Sequence, residues 1–363
     1  VTASGVILHY LDETLNHKIN HINGISRIDQ DEYVWLDNFT IKSLELLSSN
    51  NLDGRSLLDV VDQTITPMGG RMLRKWIIFP LKDVKKINQR NSIVEDFYNK
   101  EELLKNIRER LNEFGDIERI LSKISSGKVS PRELIVLKVS IHATNKIVRL
   151  IKSNNIKNIL ESISELPEVT HKIEKEIFPD APSAIGKGSL IADGVNQKLD
   201  EFREIARNSK NILLELQQSE IKRTGISSLK IAFNNVFGYY LEVRNTHRDK
   251  VPREWTRKQT LVNAERYVTQ ELKDLEIKIL SAEEQISILE THLFKGIISY
   301  INKFINQLQT NAKSIAELDC LLGFSKIAKD YQYCKPTIND SLVIDIEEGR
   351  HPVIERNLPL GEE

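Results

Sequence analysis

The chain has 363 residues, 40% apolar and 28% charged, with a net charge of −1 and two cysteines. That length accommodates two or three domains with buried cores. The composition excludes a disulfide scaffold and a protein basic throughout, and no run approaches the roughly 18–20 apolar residues that cross a membrane.

The opening VTASGVILHYLDE lacks the basic start and apolar stretch of a signal peptide, so a cytoplasmic protein is expected, with Cys320 and Cys334 as ordinary thiols. Both ends read as cut from a longer chain. Glu13, His17 and His21 are four apart, a spacing that brings them onto one helical face, but no His-Glu-x-x-His pattern or nearby cysteine supports a metal site. Tyr33–Leu36 alternates like an isolated strand. Helical periodicity then covers Leu44–Leu47, Ser56–Ile78, Val84–Tyr98, Ile117–Ile124 and Arg132–Ile151, the last begun by Ser130 as N-cap, Pro131 in the first turn and Glu133. Pro179, Pro182, Gly186 and Gly188 end this helical block.

Beyond the break, Leu199, Phe202, Ala206, Leu213 and Leu216 predict a helix from about Asn196 to Lys222. A longer one is predicted from about Asn263 to Tyr331. Within it Leu272, Leu275, Ile279, Ala282, Ile286, Leu289 and Leu293 alternate spacings of three and four, the seam of a helix pair. Between the two helices the period becomes alternating. Leu229–Phe233 and Phe237–Val243 read as strands joined through Asn234-Asn235, with Thr256–Leu261 a further strand. This tip is also where charge concentrates. From Lys222 to Val268 there are ten basic residues against four acidic ones, an excess of about +6, which is the footprint of phosphate contact.

No nucleotide-binding loop accompanies it. Gly127-Lys128 and Gly186-Lys187 both lack the earlier glycine and the following Ser/Thr that cradle phosphates. No serine, cysteine or carboxylate partner makes a recognisable catalytic pattern with His351. The chain by itself is therefore read as non-enzymatic, without cofactor or metal. Trp35, Trp76 and Trp255 are candidates for base stacking, Trp76 more plausibly core.

Three strings carry a family resemblance. Phe233–Tyr240 followed by Arg257–Tyr267 (RKQTLVNAERY) resembles the clamp of MutS mismatch-repair proteins. Thr66–Trp76 (TPMGGRMLRKW) resembles their core motif, and Glu348–Val353 (EGRHPV) the segment that opens their ATPase domain. They fall in the family's order across almost the whole chain. The resemblance implies a mainly α fold: a discontinuous helical core domain with long antiparallel lever helices carrying a small β-rich clamp at the tip. The implied divisions are the end of a connector region (1–22), the first part of the core (23–195), a descending lever (196–223), the clamp (224–268), an ascending lever with return to the core (269–330) and the start of a truncated ATPase domain (331–363).

The resemblance also implies a role in DNA mismatch repair, with double-stranded DNA held by its backbone. The parent protein would be a DNA-dependent ATPase using ATP and Mg, dimeric through its ATPase domain and working with a MutL-type partner. The family's mismatch-reading Phe-x-Glu has one match, Phe202-Arg203-Glu204, inside a predicted helix. The clamp motif carries over Asn234, Lys258, Asn263 and Arg266 as DNA-backbone contacts, and charge adds Arg244, Arg248, Lys250, Arg253 and Arg257. Lys258 and Arg266 are expected to be exposed, and Asn263 and Arg266 to share one face at the start of the long helix. Val262 stands where relatives often carry a basic residue, and His351 lies where the family approaches nucleotide. Two alternatives remain open: a MutS-like paralogue serving recombination or ribosome rescue, and a coiled-coil spacer with no nucleic-acid role. The segment before Asn23 resembles a connector tail, which favours repair.

Overall fold

The computed structural model describes residues 2–14, 31–51, 53–151, 154–184, 186, 188–234, 236 and 238–357. In chain order the helices begin with α1 (Thr2–Thr14), α2 (Asn38–Ser43), α3 (Leu57–Val61), α4 (Pro67–Ile78) and α5 (Val84–Tyr98). They continue with α6 (Glu101–Leu111), α7 (Ile117–Ser126), α8 (Pro131–Leu150), α9 (Lys157–Glu161), α10 (Pro167–Glu176) and α11 (Gln197–Thr224). Strands β1 (Lys230–Asn234), β2 (Gly238–Arg244), β3 (Thr256–Thr260) and β4 (Ala264–Val268) follow, then α12 (Gln270–Asn302), α13 (Ile305–Asp330) and α14 (Pro352–Asn357). The fold is mainly helical with one small antiparallel sheet. Two compact units result, one formed by residues 1–174 and 297–363, the other by the intervening 175–296.

The first unit is built around α13. Its apolar residues lie all round the helix instead of along one stripe, the pattern of a helix enclosed on every side. Leu308, Ile315, Leu318, Leu322 and Ile327 are all buried, with α4, α5, α6 and α7 packed against them. Burying polar groups here requires partners. Asn311 exchanges two hydrogen bonds with the Ser164 backbone, at 2.7 and 2.9 Å. The Asp319 carboxylate accepts from the Thr66 amide and hydroxyl, both at 2.7 Å, and from the Ile65 amide at 3.1 Å. Thr66 in turn caps α4, its Oγ1 accepting from the Gly69 amide at 3.0 Å.

Four sequence expectations change in this unit or at its edge. The helix read over Ser56–Ile78 is two helices, because Asp62 ends α3 in extended backbone and Thr66 with Pro67 starts α4 afresh. Leu44–Leu47 forms turns after α2. Tyr33–Leu36 contributes only a single bridge, Tyr33 to Leu81. The long helix is interrupted near Lys303 and Phe304, where amides turn back to the Tyr300 and Ile301 carbonyls at 3.2 and 2.9 Å, and α13 begins anew. By contrast, Val84–Tyr98 and the Ser130 capping box stand as read.

In the second unit α11 and α12 run antiparallel. Arg203 of α11 pairs with Glu290 of α12 at 2.7 Å, while Leu213 and Leu216 share a cluster with Leu272 and Leu275. Every residue of the predicted seam on α12 is buried or half-buried. The sheet has the order β1-β2-β4-β3. One face contributes Leu241, Val243 and Tyr267 to a core with Leu216, Ile226, Leu229, Trp255 and Leu272. Alternation sends Glu242 and Arg266 to the other face, opposite each other in the β2–β4 register.

Candidate nucleic-acid interface

The sheet begins with a hairpin whose geometry is set by two residues. Gly238 has φ +73°, a conformation that favours glycine, and the Glu276 carboxylate occupies the space a Cβ would take, 1.8 Å from Oε1. Glu276, from α12, accepts from the Tyr239 amide at 3.3 Å. Asn234 closes the turn, its Oδ1 accepting from the Val236 amide at 2.8 Å. This predicted contact residue is therefore half-buried and already employed by its own backbone. Asn235 and Phe237 of the motif lie outside the described residues.

The β3–β4 hairpin points the opposite way. Its tip, Leu261–Asn263, meets Asn245, which donates from Nδ2 to the Val262 carbonyl at 2.9 Å and from its amide to the Asn263 carbonyl at 3.3 Å. The register places Asn234 beside Gly238 and Arg244 beside Ala264, at the two ends of β2. Six residue steps along the strand, from Gly238 to Arg244, separate these ends, about 20 Å. The motif residues read as one group are thus divided: Asn234 at one end, Asn263 with Arg244 at the other.

Val262 is 90% exposed. Asn263 is exposed in the hairpin loop and Arg266 lies within β4, which corrects the expectation that both share the first turn of a helix. The cause is the strand-forming run Ala264–Val268, whose pairing to both β2 and β3 overrides the helical reading.

Arg266 is not a free cation. Its side chain is 17% exposed, Nε is 3.4 Å from Glu242 Oε2, Nη1 donates to Gln259 Oε1 at 2.8 Å, and the guanidinium sits 4.3 Å from the Tyr240 ring centroid. Arg248 and Arg257 converge on Glu265, at 3.5 and 3.2 Å. That carboxylate is 4% exposed and also accepts from the Tyr267 hydroxyl, which together with the two cations holds it below the ordinary carboxylate range against the effect of burial. Lys250 reaches the Gly225 carbonyl at 3.4 Å, at the C-terminal end of α11 where a cation is favoured.

Lys258 occupies a different position. The β3–β4 register shifts between Arg257 and Gln259, so Lys258 is the extra residue of a bulge on an edge strand. It is exposed, and no ion pair to it, Arg244 or Arg253 occurs among the described residues. Three of the four acidic residues are spent, Glu254 on Arg223, Glu265 on Arg248 and Arg257, and Glu242 on Arg266. Among the described residues the exposed positive charge outside these ion pairs therefore rests with Lys258, Arg244 and Arg253, together with Lys222 and Lys230.

The other candidates resolve by burial. Trp255 is 5% exposed against Tyr267, Trp76 is half-buried, and Trp35 is exposed. Arg203 of the Phe-x-Glu match is buried in its pair with Glu290, and Phe202 is half-buried. His351 Nδ1 accepts from the Val353 and Ile354 amides at 3.3 and 3.4 Å, capping α14. His17 and His21 lie outside the described residues. Among the described residues no helix is long and apolar enough to cross a membrane.

The family profile described as MutS domain III matches residues 39–325, and the chain belongs to that family. Over its full length it is 52% identical to the DNA mismatch repair protein MutS of Phocaeicola vulgatus and 49% identical to that of Porphyromonas gingivalis, covering 42% and 41% of those proteins. The MutS protein of Flavobacterium johnsoniae is 49% identical over 99% of the chain, which covers 42% of it. The chain thus spans less than half the length of these relatives.

Proposed function

We propose that this chain is the part of a DNA mismatch-repair protein that grips duplex DNA by its backbone, with the four-stranded sheet as clamp and α11 and α12 as its levers. The observation that carries this is the set of exposed cations without ion pairs, Arg244 and Lys258 on a sheet whose core face is already filled and Arg253 in the turn before β3. Lysine and arginine supply donors to phosphate oxygens without reading a base. A spacer has no use for such a set. Asn263 adds an exposed amide beside Arg244, while Arg248, Arg257 and Lys250 contribute only where DNA competes with their present partners. Asn234 and Arg266 act by holding the hairpin and the sheet.

In the longer protein, ATP and Mg bound in the ATPase domain would supply the energy for rearrangement, and rigid helices would transmit it to the clamp. Dimerisation and a MutL-type partner belong to that longer protein too.

The test is binding of this chain to matched and mismatched duplexes across a salt series. Weak binding, equal on both duplexes and falling steeply with salt, is expected. Lys258→Glu and Arg244→Glu should weaken both alike. A mismatch preference, or wild-type affinity in both variants, overturns the proposal.

A further inference from the structure

A hollow of about 550 Å³ opens in the first unit between α4, α5, α9 and α13. Trp76, Phe79 and Tyr33 line it, with the Tyr33 and Phe79 rings 6.2 Å apart and edge-on. Arg90 lies against this wall, its guanidinium carbon 3.5 Å from the Trp76 ring centroid. The stack occupies one face of the guanidinium and none of its N–H donors. No hydrogen bond from Arg90 to any described residue is formed, although it is half-buried. Burial pushes its pKa down, opposed by the nearby Glu317. Lys75, Lys86 and Lys313 stand around the opening against the single acid Glu317, and of these Lys86 is held by Glu32 at 2.8 Å.

None of the Arg90 guanidinium nitrogens is buried without a partner, so its donors stand open to the hollow beside an aromatic wall. Elsewhere in this unit Arg71 binds Asp116 and Glu118 and Arg108 donates to the Gln63 carbonyl at 2.9 Å, while Arg356 stacks on Tyr331 and leaves Nε and Nη2 buried without a partner. The ligand chemistry that Arg90 and this aromatic wall would match is an anion with an apolar neighbour. A duplex is too broad to enter so narrow a concavity, and Glu317 disfavours a doubly charged phosphate more than a singly charged carboxylate. A planar carboxylate also matches the guanidinium fork in two parallel hydrogen bonds.

We propose that this hollow is a docking site for an acidic peptide segment of a partner protein, an Asp or Glu carboxylate on Arg90 and an adjoining aromatic or aliphatic side chain against Trp76 and Phe79. The inference stands apart from the DNA reading, since none of its residues belongs to the sheet.

The experiment is selection of a random peptide library displayed on phage against the chain, followed by anisotropy titration of a selected peptide. Expected is enrichment of an acidic residue next to an apolar one, with binding weakened more than tenfold in Arg90→Met and only partly kept in Arg90→Lys, which preserves charge but not the fork. Glu317→Gln should bind several-fold tighter. If Arg90→Met fails to fold, Glu317→Gln and the surface change Lys313→Glu carry the test, the first strengthening binding and the second weakening it. Enrichment without acidic residues, equal affinity in these variants, or displacement of the peptide by a duplex oligonucleotide overturns the proposal.

Discussion

Gly69 faces Asp319 so closely that a Cβ on the glycine would lie 2.3 Å from the Asp319 Oδ2 atom. The two come from α4 and α13, and their approach lets one carboxylate collect the Thr66 and Ile65 amides at the start of α4. Gly69→Ala should therefore destabilise by about 2 kcal/mol through overpacking. Asp319→Ala, which strands several donors at once, should cost about 3 kcal/mol. The double variant should lose less than the sum, since removing the carboxylate relieves most of the clash. Denaturation followed through Trp76, which packs on Phe324 in the same unit, measures all three. Strict additivity would show that the two residues do not meet.

Arg203 and Glu290 make the corresponding test in the other unit. Both are nearly inaccessible, at 7% and 2%, and Glu290 also accepts from the Leu190 amide at 3.1 Å. Glu290→Ala alone should cost about 3–5 kcal/mol by leaving a buried guanidinium short of its partner, whereas replacing both with apolar residues should cost less, about 1–3 kcal/mol, since the Leu190 amide and Ile191 carbonyl still lose partners. Thermal unfolding of the two variants distinguishes these cases, and equal losses would contradict the buried-pair account.

Charge reversal in the sheet should separate stability from binding. Arg266→Glu sets two carboxylates opposite each other on β2 and β4 and removes the cation from the Tyr240 ring, a loss of about 2 kcal/mol. Lys258→Glu, on an exposed bulge, should change stability by no more than about 0.5 kcal/mol. Circular dichroism melts of the two proteins check the contrast. Wild-type stability in Arg266→Glu would mean that its contacts with Glu242 and Tyr240 hold nothing.

The sheet should also have a defined pH range. Glu265 is lowered by the Tyr267 hydroxyl first and by Arg248 and Arg257, so its contribution is present above the ordinary carboxylate range and is lost as pH falls through its depressed value. Tyr267, pushed up to about 12 by burial and by the bond to Glu265, contributes fully below the unfolded value near 10 and loses that contribution as pH rises toward about 12. Glu265→Gln should flatten the acid limb of a stability profile and Tyr267→Phe the alkaline limb. Unchanged limbs in both variants would refute the coupling.

Sequence patterning conveyed the helices well because apolar spacing is a local property. Ser130, Pro131 and Glu133 announce the start of α8, and the α12 seam is a repeat visible without partners. What patterning missed depends on distant pairing. Ala264–Val268 reads as the entry to a helix until β2 and β3 are brought alongside, and the interruption at Phe304 leaves the apolar period nearly intact. Among the candidate contacts, residue type located the cations, but which of them are spent on Glu242, Glu254 and Glu265 follows only from register. The Arg90 hollow was not legible, since only its α4 members fall in a motif and the rest come from further segments.

One feature of the first unit sets an order in time. Ile78 ends α4, Ser126 ends α7 and Ile305 begins α13, so the helix that fills the centre is made about 180 to 230 residues after the helices packed against it. At the usual pace of synthesis, about 5–20 residues per second, α4 to α7 leave the ribosome roughly ten to fifty seconds before their central partner exists. During that interval Leu73, Phe97, Ile107 and Leu121 have no α13 to cover them, and a nascent chain cut short before Asp330 should be far more readily cleaved by protease, and more readily held by a chaperone, than one that extends beyond it.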